Sequence, residues 1–164
     1  MTINIDPLLK KISAVYSNID KKLLMGLCNV QSKMYQDMDH IPPKIPVEYG
    51  NLRRSFYAVT SECEVRRGKT PSFTNDRRNA TILNTDHSDA IARGLNRAIK
   101  FGTKKGPCVV FGFSAFYALY VHEKYGGNIK WTRPESGPGF FQAAIRNNIN
   151  DALKIMARTV RMPK

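Results

Sequence analysis

Val109-Val110-Phe111-Gly112-Phe113-Ser114-Ala115-Phe116-Tyr117-Ala118-Leu119-Tyr120-Val121-His122-Glu123 changes hydrophobic period partway along its length. Val109, Phe111 and Phe113 alternate with Val110 and Gly112, which is the two-residue rhythm of a strand. From Phe116 onward the apolar positions fall at Phe116, Leu119, Tyr120 and Val121, a spacing that fits a short helical turn. A strand feeding directly into an aromatic-rich helix is the pivot of the chain.

Upstream, Gly106-Pro107 turns the chain into this strand. Before that turn a short amphipathic helix is predicted from Asp86 or Ser88, closing at Gly102. Ala90, Ile91, Leu95 and Ile99 lie on one side of it, and Arg93, Arg97, Lys100 and Lys104 form a basic row on another. Lys69 to Thr85, which includes Arg77 and Arg78, reads as loop with at most a weak strand at Ala80 to Leu83. Farther upstream a turn at Gly50 leads into a strand. Tyr57, Val59, Ser61, Cys63 and Val65 occupy one of its faces; Phe56, Ala58, Thr60, Glu62 and Glu64 occupy the other.

The N-terminal segment reads as one long helix. Asp6 is a suitable N-cap and Pro7 a suitable first residue. Leu8, Ile12, Val15, Ile19, Leu23, Leu27, Val30 and Met34 make a single apolar stripe behind them. The helix is expected to reach about Gln36, roughly 45 Å at 1.5 Å per residue, and to lie along a sheet or reach into a neighbouring subunit. Ile41-Pro42-Pro43-Lys44-Ile45-Pro46 ends it. Downstream of Glu123, Lys124 to Asn128 reads as loop, Asn128 to Thr132 as a brief strand carrying Trp131, and Arg133 to Gly139 as a breaker cluster. Phe141, Ile145, Ile149, Ala152, Met156 and Val160 then stripe a closing helix. This order predicts an α+β fold: a small, mainly antiparallel sheet flanked by the long N-terminal helix and a C-terminal helix, with a basic, partly irregular insertion at 66–105. One domain over 1–164 is expected from the length.

Composition narrows the function classes. Hydrophobic residues make up 42% of the chain, as in ordinary globular proteins. No apolar run approaches the ~20 residues of a membrane span, and the N-terminus lacks a secretion-signal pattern, so synthesis in a cytoplasm is expected. Cys28, Cys63 and Cys108 are widely spaced and read as small buried hydrophobes. The net charge of +13 is uneven: +1 over residues 1–65, +7 over 66–105 and +5 over 106–164. Such a surplus points to an anionic partner or to a solvated basic face.

Enzymatic chemistry has little to work with. His40, His87 and His122 lie far apart in sequence, without a second His or Cys at metal-ligand spacing. There is no phosphate-binding glycine loop ending in Lys-Ser/Thr and no Gly-x-Ser-x-Gly elbow. No cofactor, metal or catalytic residue is therefore expected. The Arg93/Arg97/Lys100/Lys104 row suits phosphate contact without sequence readout, which keeps open the alternative of a basic, regulatory nucleic-acid-binding protein.

Three stretches, in order, resemble the head–tail joining (tail-completion) proteins of tailed bacteriophages, of the minor-tail type found in lambdoid siphophages. Pro46-Val47-Glu48-Tyr49-Gly50-Asn51-Leu52-Arg53-Arg54-Ser55 is similar to the family's Pro-x-x-Thr-Gly-x-Leu-Arg-x-Ser, with Tyr49 in the Thr position. Phe111 to Glu123 resembles its Gly-Phe-Ser-x-x-Tyr-Ala-x-Tyr-Val-His-Glu. Gly137-Pro138-Gly139-Phe140-Phe141-Gln142-Ala143-Ala144 looks like its Gly-x-x-Lys-Phe-Leu-x-x-Ala, with Gly139 in the Lys position. The resemblance implies a structural virion protein of the neck or tail top, a homo-oligomeric ring between the head portal or adaptor and the tail tube or tail terminator. Non-specific contact with genomic DNA in the channel is part of the same expectation. Candidate interface or channel residues are Arg53, Arg54, Arg77, Arg78, Arg93, Arg97, Lys100 and Lys104. Candidate subunit-contact residues are Tyr117, Tyr120, His122, Glu123 and Trp131.

Overall fold

The computed structural model describes residues 6–47, 50–73, 80–124 and 130–161. Helix α1 spans Asp6–His40, a helical turn α2 Asn51–Arg54, strand β1 Phe56–Thr60, strand β2 Val65–Arg67, helix α3 Ala80–Lys105, strand β3 Val109–Phe113, helix α4 Ala118–Glu123 and helix α5 Phe140–Arg161. The strands form one antiparallel sheet in the order β2-β1-β3, with Phe56 opposite Phe113 and Ala58 opposite Phe111. This is a small α+β fold with a long N-terminal helix, a C-terminal helix and a three-stranded sheet.

Helices cover both faces of the sheet. On one face, Phe56, Ala58, Phe111 and Phe113 meet Tyr35 and Met38 of α1 and Phe140 and Phe141 of α5. These rings meet tilted or edge to face, the geometry that aromatic quadrupoles favour. On the other face, Tyr57 and Val59 meet α3. That helix lies close because Ala90, Gly94, Ala98 and Gly102 recur every four residues along its inner line. A Cβ on Gly94 would stand 2.9 Å from Tyr57 Cε2, and one on Gly102 would stand 2.5 Å from Ser61 Cβ.

Helices α1 and α5 run antiparallel. Asn148 Nδ2 donates to Asp37 Oδ2 at 2.6 Å near one end, and Lys22 Nζ donates to the Val160 carbonyl at 3.3 Å near the other. Residues 6–21 of α1 therefore continue about 24 Å beyond this contact at 1.5 Å per residue.

Several sequence expectations are corrected. Residues 80–105 form one long helix, so Ala80 to Leu83 is helical and Gly102 is internal; Gly106, at φ +93°, marks the end. The inner line is Leu83, His87, Ala90, Gly94 and Ala98, while Ile99 is exposed. Its small residues hid this face from a hydrophobicity reading. The strand after Gly50 does not run to Val65: α2 precedes it, and the chain turns at Ser61 to Glu64 into β2. Thr60 N donates to the Glu64 carbonyl at 2.9 Å, and Cys63 N donates to the Thr60 carbonyl at 3.2 Å. Cys63 sits exposed on that turn with φ +62°, not buried in a strand face. Helix α1 reaches His40 rather than Gln36, because Met38, buried in the core, carries the stripe one turn farther. Lys130 to Thr132 is not a strand; residues 128–129 of that expected element lie outside the described residues.

Candidate functional site

The buried carboxylate of Asp39 ties three segments together. Arg53 Nη2 lies 2.5 Å from its Oδ2, and Arg133 Nη1 lies 2.7 Å from its Oδ1. Arg133 Nη2 also donates to the Asp39 backbone carbonyl, and Nη1 reaches the Ile45 carbonyl at 3.4 Å. Beside this knot, Lys44 pairs with Glu135, and Lys44 N donates to the Glu135 carbonyl at 2.9 Å. The end of α1, the turn α2 and the Arg133–Gly137 segment are thus fixed to one another. Arg53 is engaged within its own chain. Arg54 is exposed beside it, on the wall of an open cleft of about 320 Å³ that also takes in Tyr35, Arg67 and Lys69.

A second open cleft, about 560 Å³, lies where α4 meets α5 and is lined by His122, Glu123, Phe141, Gln142 and Ile145. The His122 ring stands edge-on to Phe140 at 5.2 Å, and its buried Nδ1 has no hydrogen-bond partner among the described residues. Burial pushes the imidazole below its ordinary pKa of 6.5, with the Glu123 charge partly opposing. Of the cleft's lining residues Ile145 is exposed, and Ile149 and Leu153 follow it at four-residue spacing on α5; Phe116, Leu119 and Tyr120, on or just before α4, are exposed too. Tyr117, by contrast, packs against the core. Glu123 is exposed, and Trp131 is half-buried in the segment before Arg133.

Arg93, Arg97, Lys100 and Lys104 are all exposed and share one side of α3, about a quarter turn from the line that faces the sheet. Asp86 and Asp89 precede them on that side. Acid toward the start and base toward the end complements the helix dipole. Arg77 and Arg78 lie outside the described residues.

Overhanging residues 6–21 expose a long apolar stripe. Leu9, Ile12, Val15, Tyr16 and Ile19 are 39–66% exposed, and all fall within about 60° of Ile12 around the helix. Farther along α1 the same line is covered, at Val30, Met34 and Met38.

Sequence reasoning passed over Asp39, Arg133, Arg67 and the His87 cluster. His87 is buried; its Nε2 donates to the Gly68 carbonyl, and its Nδ1 pairs with Ser114 Oγ at 2.7 Å. The polar break that Ser114 makes after Phe113 was the one available sign of that bond. Among the described residues no group of three or more His, Cys, Asp or Glu side chains could hold a metal ion, and no helix is long and apolar enough to cross a membrane. Comparison with protein-family models, with curated proteins and with solved structures finds no match for this chain.

Proposed function

We propose that this protein is a non-enzymatic structural subunit of the neck or tail top of a tailed-phage virion, which assembles as a ring joining the head portal or adaptor to the tail. The observation that carries the self-assembly reading is the α1 overhang, whose exposed stripe continues the line that α5 covers farther along the same helix. A neighbour's α5, with exposed Ile145 on the wall of the His122 cleft and exposed Ile149 and Leu153 following it along the helix, offers a surface of matching character. Donor and acceptor are different patches, so the contact is heterologous and closes into a ring where the rotation permits. The phage setting rests on the three ordered sequence resemblances.

Covering about half of each of the five overhang side chains contributes roughly 1 kcal/mol apiece, against ~1.5–3 kcal/mol for complete burial. Association costs at least ~4 kcal/mol in lost freedom. One overhang contact alone is thus marginal, and a closed ring or a pre-existing portal surface supplies the remainder. The test is light scattering and electron microscopy of the purified chain, alone and with portal or adaptor rings. Rings or docked density are expected for the native chain, and isolated monomers for Ile12→Glu/Ile19→Glu. A native chain that stays monomeric and undocked with neck components present overturns the proposal.

The exposed basic row on α3 favours the second reading, a nucleic-acid-binding regulator. That reading predicts tight, sequence-selective DNA binding by a monomer or dimer in the same preparations.

A further inference from the structure

We propose that the cleft between α2 and the end of β2 is a binding site for phosphate groups. Four cationic side chains line it, Arg53, Arg54, Arg67 and Lys69, together with Tyr35 and Thr70, and among the described residues no carboxylate does. Asp39, the acid among the described residues that pairs with one of them, is shared between Arg53 and Arg133, so that trio still carries one net positive charge. Arg54, Arg67 and Lys69 have no ion-pair partner among the described residues. Cations gathered on one concave wall repel one another and focus a positive potential into it, which an anion relieves.

The wall is also held in place. The Arg67 guanidinium lies over the Tyr35 ring, 4.0 Å from its centroid. Gly68 has φ +79°, and a Cβ there would stand 2.5 Å from the Phe56 carbonyl oxygen. Its own carbonyl accepts from buried His87, which Ser114 anchors from the other side. Lys69 and Thr70 therefore leave β2 from a fixed point, and Arg53 is fixed by the Asp39 knot. Preorganised donors lose less freedom on binding. Two guanidinium forks, an ammonium and the Thr70 hydroxyl suit an oxyanion with several charged oxygens better than a single carboxylate. At about 320 Å³ the cleft stands at the small end of ligand sites, with room for one or two phosphates. A nucleic-acid backbone and a free small phosphate share this chemistry.

The inference does not depend on ring assembly, and its test is made on the full chain in solution. Pyrophosphate, a twelve-nucleotide single strand and polyglutamate of equal charge are titrated by calorimetry against the native chain, Arg54→Gln/Lys69→Gln and Arg93→Gln/Arg97→Gln. Loss of at least tenfold in affinity for a phosphate probe is expected in the cleft variant, and less than twofold in the α3 variant, which removes the same charge elsewhere. Tighter binding of the oligonucleotide assigns the site to a nucleic-acid backbone; equal or tighter binding of pyrophosphate assigns it to free phosphate. Equal losses in the two variants, no phosphate binding at millimolar concentration, or polyglutamate binding as tightly as the phosphates overturns the proposal. Arg54→Gln alone, on the exposed side of α2, preserves the test if the double variant unfolds.

Discussion

Replacing Asp39 with Asn keeps the size of the buried side chain, removes its negative charge and turns one of its two acceptor oxygens into an NH2 donor facing a guanidinium. The native carboxylate is 4% exposed, whereas the side chains of Arg133 and Arg53 are 25% and 47% exposed. Breaking a buried ion pair by deleting one partner costs ~3–5 kcal/mol. Arg53 can turn its charge to water and Arg133 much less so, which places Asp39→Asn near the lower end, about 3 kcal/mol. That is on the order of a hundredfold in the folded-to-unfolded ratio. With a urea slope of ~2 kcal/mol/M, the midpoint should fall by about 1.5 M. Arg53→Ala, which removes the more exposed arm, should cost no more than ~1 kcal/mol. Pairing Asp39→Asn with Arg133→Met should cost less than the sum of the two single changes, because neither charge is left stranded. A midpoint shift under ~0.5 M for Asp39→Asn, or strict additivity in the cycle, would refute the view that Asp39 anchors α1, α2 and the Arg133 segment together.

An internal Gly94→Ala change would ordinarily stabilise a helix by ~1 kcal/mol. Here the new Cβ meets Tyr57 and Val59 at 2.9 and 3.1 Å, so net destabilisation of ~1–2 kcal/mol is expected in urea melts, and a gain in stability would contradict the close α3–sheet contact. Because the folded-state pKa of His122 lies below its ordinary 6.5, the unfolded chain binds the proton more readily. Its contribution is complete above pH 6.5 and is lost as the pH falls through the folded value. Urea midpoints at pH 7.5 and 5 should therefore differ less in His122→Asn than in the native chain; an unchanged difference would remove His122 from that account. Charge reversal at Arg93, Arg97 and Lys100 should leave circular dichroism and melting of the monomer nearly unchanged, since all three are exposed, while impairing assembly or genome retention. A large loss of monomer stability would show that the row braces the fold.

The parts of the fold that sequence made legible are those where side-chain period and burial coincide. The strand at Val109–Phe113 and the later part of the α1 stripe, at Val30 and Met34, announce themselves because large apolar residues mark the covered face; the helix after the strand has the expected period, but its Phe116, Leu119 and Tyr120 face outward. Helix α3 does not, because Ala90, Gly94, Ala98 and Gly102 hold the covered line with almost no apolar bulk. The polar residues before Asp86 then resemble a loop. Among the candidate residues, Arg53 was singled out by charge, yet its partner Asp39 lies in a separate segment and shows no local pattern. The Gly68–His87–Ser114 bridge is non-local too, spanning nineteen and twenty-seven positions.

The α1 overhang also bears on the form of any oligomer. A two-fold dimer could cover the stripe by laying two overhangs against each other, since an isologous contact uses the same patch twice. It would leave Ile149 and Leu153, 61% and 72% exposed, and the cleft beside His122 still facing water. A head-to-tail contact covers both surfaces at once in every copy, and therefore removes more apolar area per subunit. Burial alone thus favours the repeating arrangement, provided the overhang can reach; its ~24 Å is comparable to the length of a short helix on a neighbour. The two geometries separate by cross-linking. With a cysteine placed at Ile12 and another at Ile149 in a background lacking the native cysteines, the ring gives 12-to-149 bonds between copies and the dimer gives 12-to-12. Predominance of the latter would exclude the heterologous contact on which the ring depends.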